Sequence, residues 1–71
     1  MQRKLKDEIK FRILKDNIIL AKLSDVNNSF IPAIVANIKR DSDKMLHIDF
    51  LELISTHYNI HITDLTEKIN Q

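Results

Sequence analysis

Glycine is missing from this chain altogether, and so are cysteine and tryptophan. Without glycine there are few low-cost left-handed turns, which disfavours tight hairpins. The glycine-rich phosphate loop and the dinucleotide-binding fingerprint are excluded outright. Without cysteine there is no disulfide staple and no thiolate zinc site, which fits a reducing compartment. Proline occurs once, as Pro32. No apolar run approaches the length of a membrane span and no secretory signal pattern opens the sequence, so a cytoplasmic address is expected. Internal repeats and low-complexity segments are also absent.

What is present suits one small domain over residues 1–71. The chain has 71 residues, 44% of them hydrophobic, which places its core near the lower end of what folds unaided. Marginal size makes self-association an expectation. The net charge of +1 is unevenly spread: residues 1–23 hold seven Lys/Arg against three acids, residues 24–71 four against seven. Such a basic arm can attract phosphates, lie against the acidic remainder, or meet a partner.

The strongest periodic pattern lies between Asp43 and Tyr58. Leu46, Phe50, Leu53, Ile54 and Tyr58 recur at three- and four-residue steps on one helical face. Asp41, Ser42 and Asp43 stand ahead of it as candidate caps, and Asn59 suits the left-handed residue that ends a helix. Thr63 reads as the N-cap of a last helix, with Leu65 and Ile69 facing inward. Pro32 suits the first turn of another helix, while Ser24 to Phe30 reads as a loop. The first segment is ambiguous. Leu5, Ile9 and Ile13 are spaced four apart, yet Ile9, Phe11 and Ile13 alternate with Lys10 and Arg12 as a strand would. Helix is preferred, a hairpin with a second strand at Ile18–Leu23 is the alternative, and a helix broken near Asp16-Asn17 would reconcile both. The expected fold is therefore all-α, a small bundle of three to four short helices at roughly 3–22, 31–40, 43–58 and 63–70. The alternative is an N-terminal β-hairpin followed by helices.

Nothing in the sequence advertises catalysis. His57 and His61 are four apart, but the Asn59 break intervenes and no third ligand is suitably placed, so no metal is expected. Asp49 and Glu52 resemble paired carboxylates, but they read as a solvated face. Ser29, Ser42 and Ser55 have no nucleophile motif around them. No cofactor and no small-molecule substrate are expected.

Asp43, Met45, the run Ile48-Asp49-Phe50-Leu51 and the run Tyr58-Asn59-Ile60-His61-Ile62-Thr63-Asp64 together resemble the second helix and following loop of acyl and peptidyl carrier proteins. The similarity covers residues 43–64. The position that would carry the phosphopantetheine serine is Lys44, and Ser42 lies two residues out of register. The resemblance thus implies a carrier-like bundle that docks on protein partners without a prosthetic group.

Residues 54–69 also fit a helix-turn-helix spacing, with Ile54, Tyr58, Ile60, Leu65 and Ile69 inward and Asn59 at the turn. Its second helix would present Thr63, Asp64, Thr66, Lys68 and Asn70, and with Asp64 and Glu67 against Lys68 it carries a net charge of −1. Positive charge for phosphate would then have to come from residues 3–15. The leading expectation is a non-enzymatic interaction or adaptor module that binds a protein partner or itself; the alternative is a small DNA-binding regulator. Lys4, Lys10, Arg12, Lys15, Lys44, His61, Thr63, Thr66 and Lys68 are the candidate interaction residues.

Overall fold

The structure is a computed structural model in which residues 3–69 are described. In chain order these form strand β1 (Arg3–Leu5), helices α1 (Asp7–Leu14), α2 (Asn17–Asn27), α3 (Ile31–Lys39) and α4 (Ile48–Tyr58), and strand β2 (Thr66–Lys68). Short 3₁₀ turns at Asp43–Leu46 and Ile62–Asp64 bracket α4. Four short helices form a bundle, as the periodicity requires, and an antiparallel two-stranded pair ties its two ends together. The register is Arg3 with Lys68, Lys4 with Glu67 and Leu5 with Thr66.

The first segment is neither one long helix over 3–22 nor a hairpin. Its helix breaks at Lys15-Asp16, where Asp16 adopts an extended conformation and its carboxylate accepts from the amides of Ile18 and Ile19. A capping carboxylate satisfies two amides that the helix itself leaves free, so a new helix begins there. Helix α2 then runs on to Asn27, through residues expected to be loop. Burial of Ile19, Leu20 and Leu23 outweighs the local competition from Ser24, Asp25 and Asn27. It stops at Asn28, whose φ of 50° is left-handed.

Helix α3 starts as expected, with Phe30 as N-cap and Pro32 in its first turn. The stretch expected as one helix over 43–58 is divided at His47, an extended residue whose ring accepts from the amide of Asp49 and starts α4 afresh. Ser42 caps the 3₁₀ turn ahead of it by accepting from the amide of Lys44. Asn59, at φ 55°, ends α4 as anticipated.

The last helix, expected over 63–70, is not formed within the described residues. His61 caps the Ile62–Asp64 turn, Leu65 is fully buried, and residues 66–68 extend to pair with β1. The amide of Lys6 donates to the carbonyl of Leu65 at 2.9 Å and fastens this end of the sheet. Without this pairing, β1 would leave its backbone groups unmatched.

One core cluster joins every α-helix. Ile9 and Ile13 of α1, Ile19, Leu20 and Leu23 of α2, Ile34 and Ile38 of α3, and Phe50 and Ile54 of α4 meet Leu5, Met45 and Leu65. Among the described residues no polar or charged side chain is buried. No single described helix is long and apolar enough to cross a membrane. Helices α2 and α3 would pass together on length and composition, but they bend by 102° at their break.

Candidate functional site

Helices α2 and α4 pack antiparallel, so the start of α2 meets the end of α4, and the end of α2 meets the start of α4. Each meeting place holds a distinct arrangement.

At the first, Asp16 is the hub. While its Oδ1 caps α2, its Oδ2 accepts from the Tyr58 hydroxyl at 2.9 Å and lies 3.1 Å from His57 Nε2. Lys22 Nζ is 3.3 Å from His57 Nδ1. A carboxylate can only accept and an ammonium can only donate, so the network assigns the imidazole proton to Nε2 and leaves Nδ1 to accept from Lys22. The Arg12 guanidinium lies 4.2 Å over the Tyr58 ring. The bond from Tyr58 holds the Asp16 carboxyl below its ordinary value against the opposing effect of burial, helped by the Ile19 amide, His57 and the Ile18 amide. Burial first, then the bond to Asp16 and the charge of Asp16, push the Tyr58 phenol up to about 12, with Arg12 pulling the other way. Both imidazole nitrogens are engaged, and the contacts of this cluster fasten the α1–α2 corner to α4.

At the second meeting place an open groove runs along the seam. Its deeper part, about 220 Å³, is lined by Val26, Asn27, Lys44, His47, Asp49 and Phe50. It continues as a wide trough of about 380 Å³ past Val26, Asp49, Glu52, Leu53 and Thr56. Val26 is 49% exposed, and Phe30, four residues further on, is 86% exposed. Ile48, between the groove residues His47 and Asp49, is 52% exposed.

The candidate residues from the sequence are dispersed rather than gathered. Lys4 pairs with Asp7 at 3.5 Å and Glu67 at 3.8 Å, and Lys10 pairs with Asp41 at 3.1 Å. The basic arm thus lies partly against the acidic remainder of the chain. Arg12 is committed to Tyr58, and Lys15 is the exposed residue that ends α1. His61 Nδ1 accepts from the Thr63 amide and lies 2.8 Å from the Thr63 hydroxyl, and Thr66 Oγ1 accepts from Arg3 Nε at 3.0 Å. Lys68 is exposed on β2 opposite Arg3. Only Lys44 borders the groove. Because Thr66 and Lys68 belong to a strand, the second helix of a helix-turn-helix is not there to present them.

His57 and His61 serve different contacts, and among the described residues no group of three or more potential metal ligands occurs. Ser29 accepts from Asn27 Nδ2 at 2.7 Å, Ser42 caps a turn and Ser55 donates to the carbonyl of Ile60. The sequence reading missed Val26, Phe30 and Ile48, although Phe30 two residues before Pro32 carried a signal. Proline fixes a helix start there, and a residue just outside a helix start is readily left in solvent. No protein-family model matches the chain, and no curated protein or solved structure matches it either, so the function must be read from this geometry.

Proposed function

We propose that this chain is a non-enzymatic interaction module that binds another protein, or a second copy of itself, through the α2–α4 face. The observation that carries this is the open groove between α2 and α4, where Val26 stands 49% exposed with Phe50 and Leu53 in the same lining. A chain with so small a core gains by burying such side chains, and an apolar patch with a polar rim marks a contact surface. The carrier-like run over residues 43–64 supports the same reading, because it implies docking on proteins. Lys44 in place of the modified serine fits a module with no prosthetic group.

The test is light scattering over a range of concentrations, combined with capture of partners on immobilised chain, for the wild type and for Val26→Ser. Self-association or capture that Val26→Ser removes is the expected result. A strict monomer that captures nothing the variant fails to capture would sink the proposal. Val26 lines the groove and is exposed, so the substitution leaves the core untouched.

A further inference from the structure

The α2–α4 groove has a shape and a charge that select one kind of occupant. From His47 to Thr56 the α4 side of the groove spans nine residue steps, about 14 Å of helix. That accommodates two to three turns of a second helix laid along the seam. Its floor is apolar, made by Val26, the edge of Phe50 and the half-buried Leu53. An amphipathic helix meets such a floor with side chains at i, i+3, i+4 and i+7.

Charge then decides between helices. Asp49 and Glu52 line the trough one turn apart, and both are exposed. Among the described residues Glu52 makes no ion pair, and the partner of Asp49 is His47 at 3.6 Å. Lys44 is the one lysine bordering the groove, at its His47 end. The α4 bank is therefore negative along the middle of the seam, which favours positive side chains flanking the apolar stripe of an incoming helix and disfavours acidic ones.

We propose that the occupant is a cationic amphipathic helix of a partner protein, its apolar stripe on Val26, Phe50 and Leu53 and its Lys/Arg residues against Asp49 and Glu52. This rests on the reading of the chain as an interaction module and deepens it by naming the partner's chemistry. The acidic α4 bank disfavours another occupant of such a face, an anionic lipid surface.

The experiment uses two designed helical peptides with the same leucine stripe, one with lysine at every other position and one with glutamate. Each is titrated into the isotope-labelled full chain and followed by amide chemical shifts. The lysine peptide is expected to shift Val26, Asp49, Glu52, Leu53 and Thr56, and to bind about tenfold or more tightly than the glutamate peptide. Asp49→Lys with Glu52→Lys lowers the melting temperature somewhat, because Asp49 lies in the positive first turn of α4 beside His47, and is expected to reverse the preference. Glu52→Lys alone, which breaks no contact, should shift it part of the way. Equal binding of the two peptides, or shifts centred away from the seam, would overturn the charge assignment. The interaction reading would then stand or fall separately, on whether Val26→Ser removes the association seen with the wild-type chain. Binding of anionic vesicles through the same residues, tighter than the lysine peptide, would also overturn the proposal.

Discussion

Tyr58 is the only tyrosine in a chain without tryptophan, so the ultraviolet absorbance of its phenolate reports on one site. Burial and the bond to Asp16 place that ionisation near 12 instead of the ordinary 10.0. A raised pKa means the protonated phenol is favoured in the folded state, so its contribution to stability is complete below about 10 and is lost between about 10 and 12. Spectrophotometric titration should show this late phenolate, and Asp16→Asn should bring it down only part of the way, because burial remains. An ionisation at 10 in the wild type would mean the contact is not made. Asp16 works in the opposite direction. Its lowered pKa gives a stabilisation that is present above the ordinary value of 3.8 and lost as pH falls through the depressed one. Conformation makes a second residue-level prediction. Asn28, Asp41 and Asn59 all sit at positive φ in a chain with no glycine. Asn59→Gly should therefore be nearly neutral in urea unfolding, while Asn59→Ala should cost about 1–2 kcal/mol. If the two substitutions cost the same, the left-handed conformation is not what selects asparagine.

At the scale of elements, the buried side chain that decides the C-terminal structure is Leu65. It is fully buried beside a backbone that pairs with β1, so Leu65→Ala should cost about 2–5 kcal/mol and loosen the strand pair with it. Amide exchange at Lys6, whose N–H donates to the Leu65 carbonyl, is the local readout: it should accelerate in the variant more than amides of α4 do. Equal acceleration throughout would indicate that the sheet has no separate stability. This segment also shows where the sequence could and could not be read. The apolar spacing of α4 and its stop at Asn59 were plain from residues 46–59, because three- and four-residue steps have one structural meaning. The start of α3 at Pro32 was equally plain. The strands were not, because three-residue strands are too short to show alternation and their pairing depends on a partner some sixty residues away. Leu65 and Ile69 fit a helix by spacing, and tertiary pairing overruled that fit. The break near Asp16-Asn17 was legible as one reading of the two competing patterns, whereas His47 was overlooked as a break, because it is an ordinary polar residue until its side chain turns back to cap the amide of Asp49. The groove was least legible, since its lining comes together only when α2 packs on α4, and the exposure of Val26 there follows no pattern it carries.

For the molecule as a whole, stability and recognition draw on the same small store of apolar surface. The chain folds to a radius of gyration of 11.1 Å, matching the roughly 11 Å expected for its length. Twelve buried hydrophobic residues make the described core, while Phe11, Ile18, Val26, Phe30, Ile31 and Ile48 remain in solvent. A domain of this size is stable by roughly 4–10 kcal/mol. Ile54→Ala, at a fully buried site on the inner side of α4, should remove about 2–5 kcal/mol of that and leave a fold that is only just stable. Such a variant is a sensitive detector for occupants of the seam, because a ligand that binds only the folded chain stabilises it by mass action, about 2.7 kcal/mol at a hundred times its dissociation constant. The cationic leucine–lysine helix should therefore raise the urea midpoint of Ile54→Ala with the slope of the transition unchanged, and the glutamate helix should raise it much less. The effect should weaken as salt is added, since Asp49 and Glu52 on the α4 bank are exposed and screened. A midpoint that ignores the peptide at saturating concentration would show that the seam is a consequence of a small core and has no occupant of this kind. A midpoint that rises equally with both peptides would keep the apolar floor as a binding surface and remove the carboxylates from its specificity.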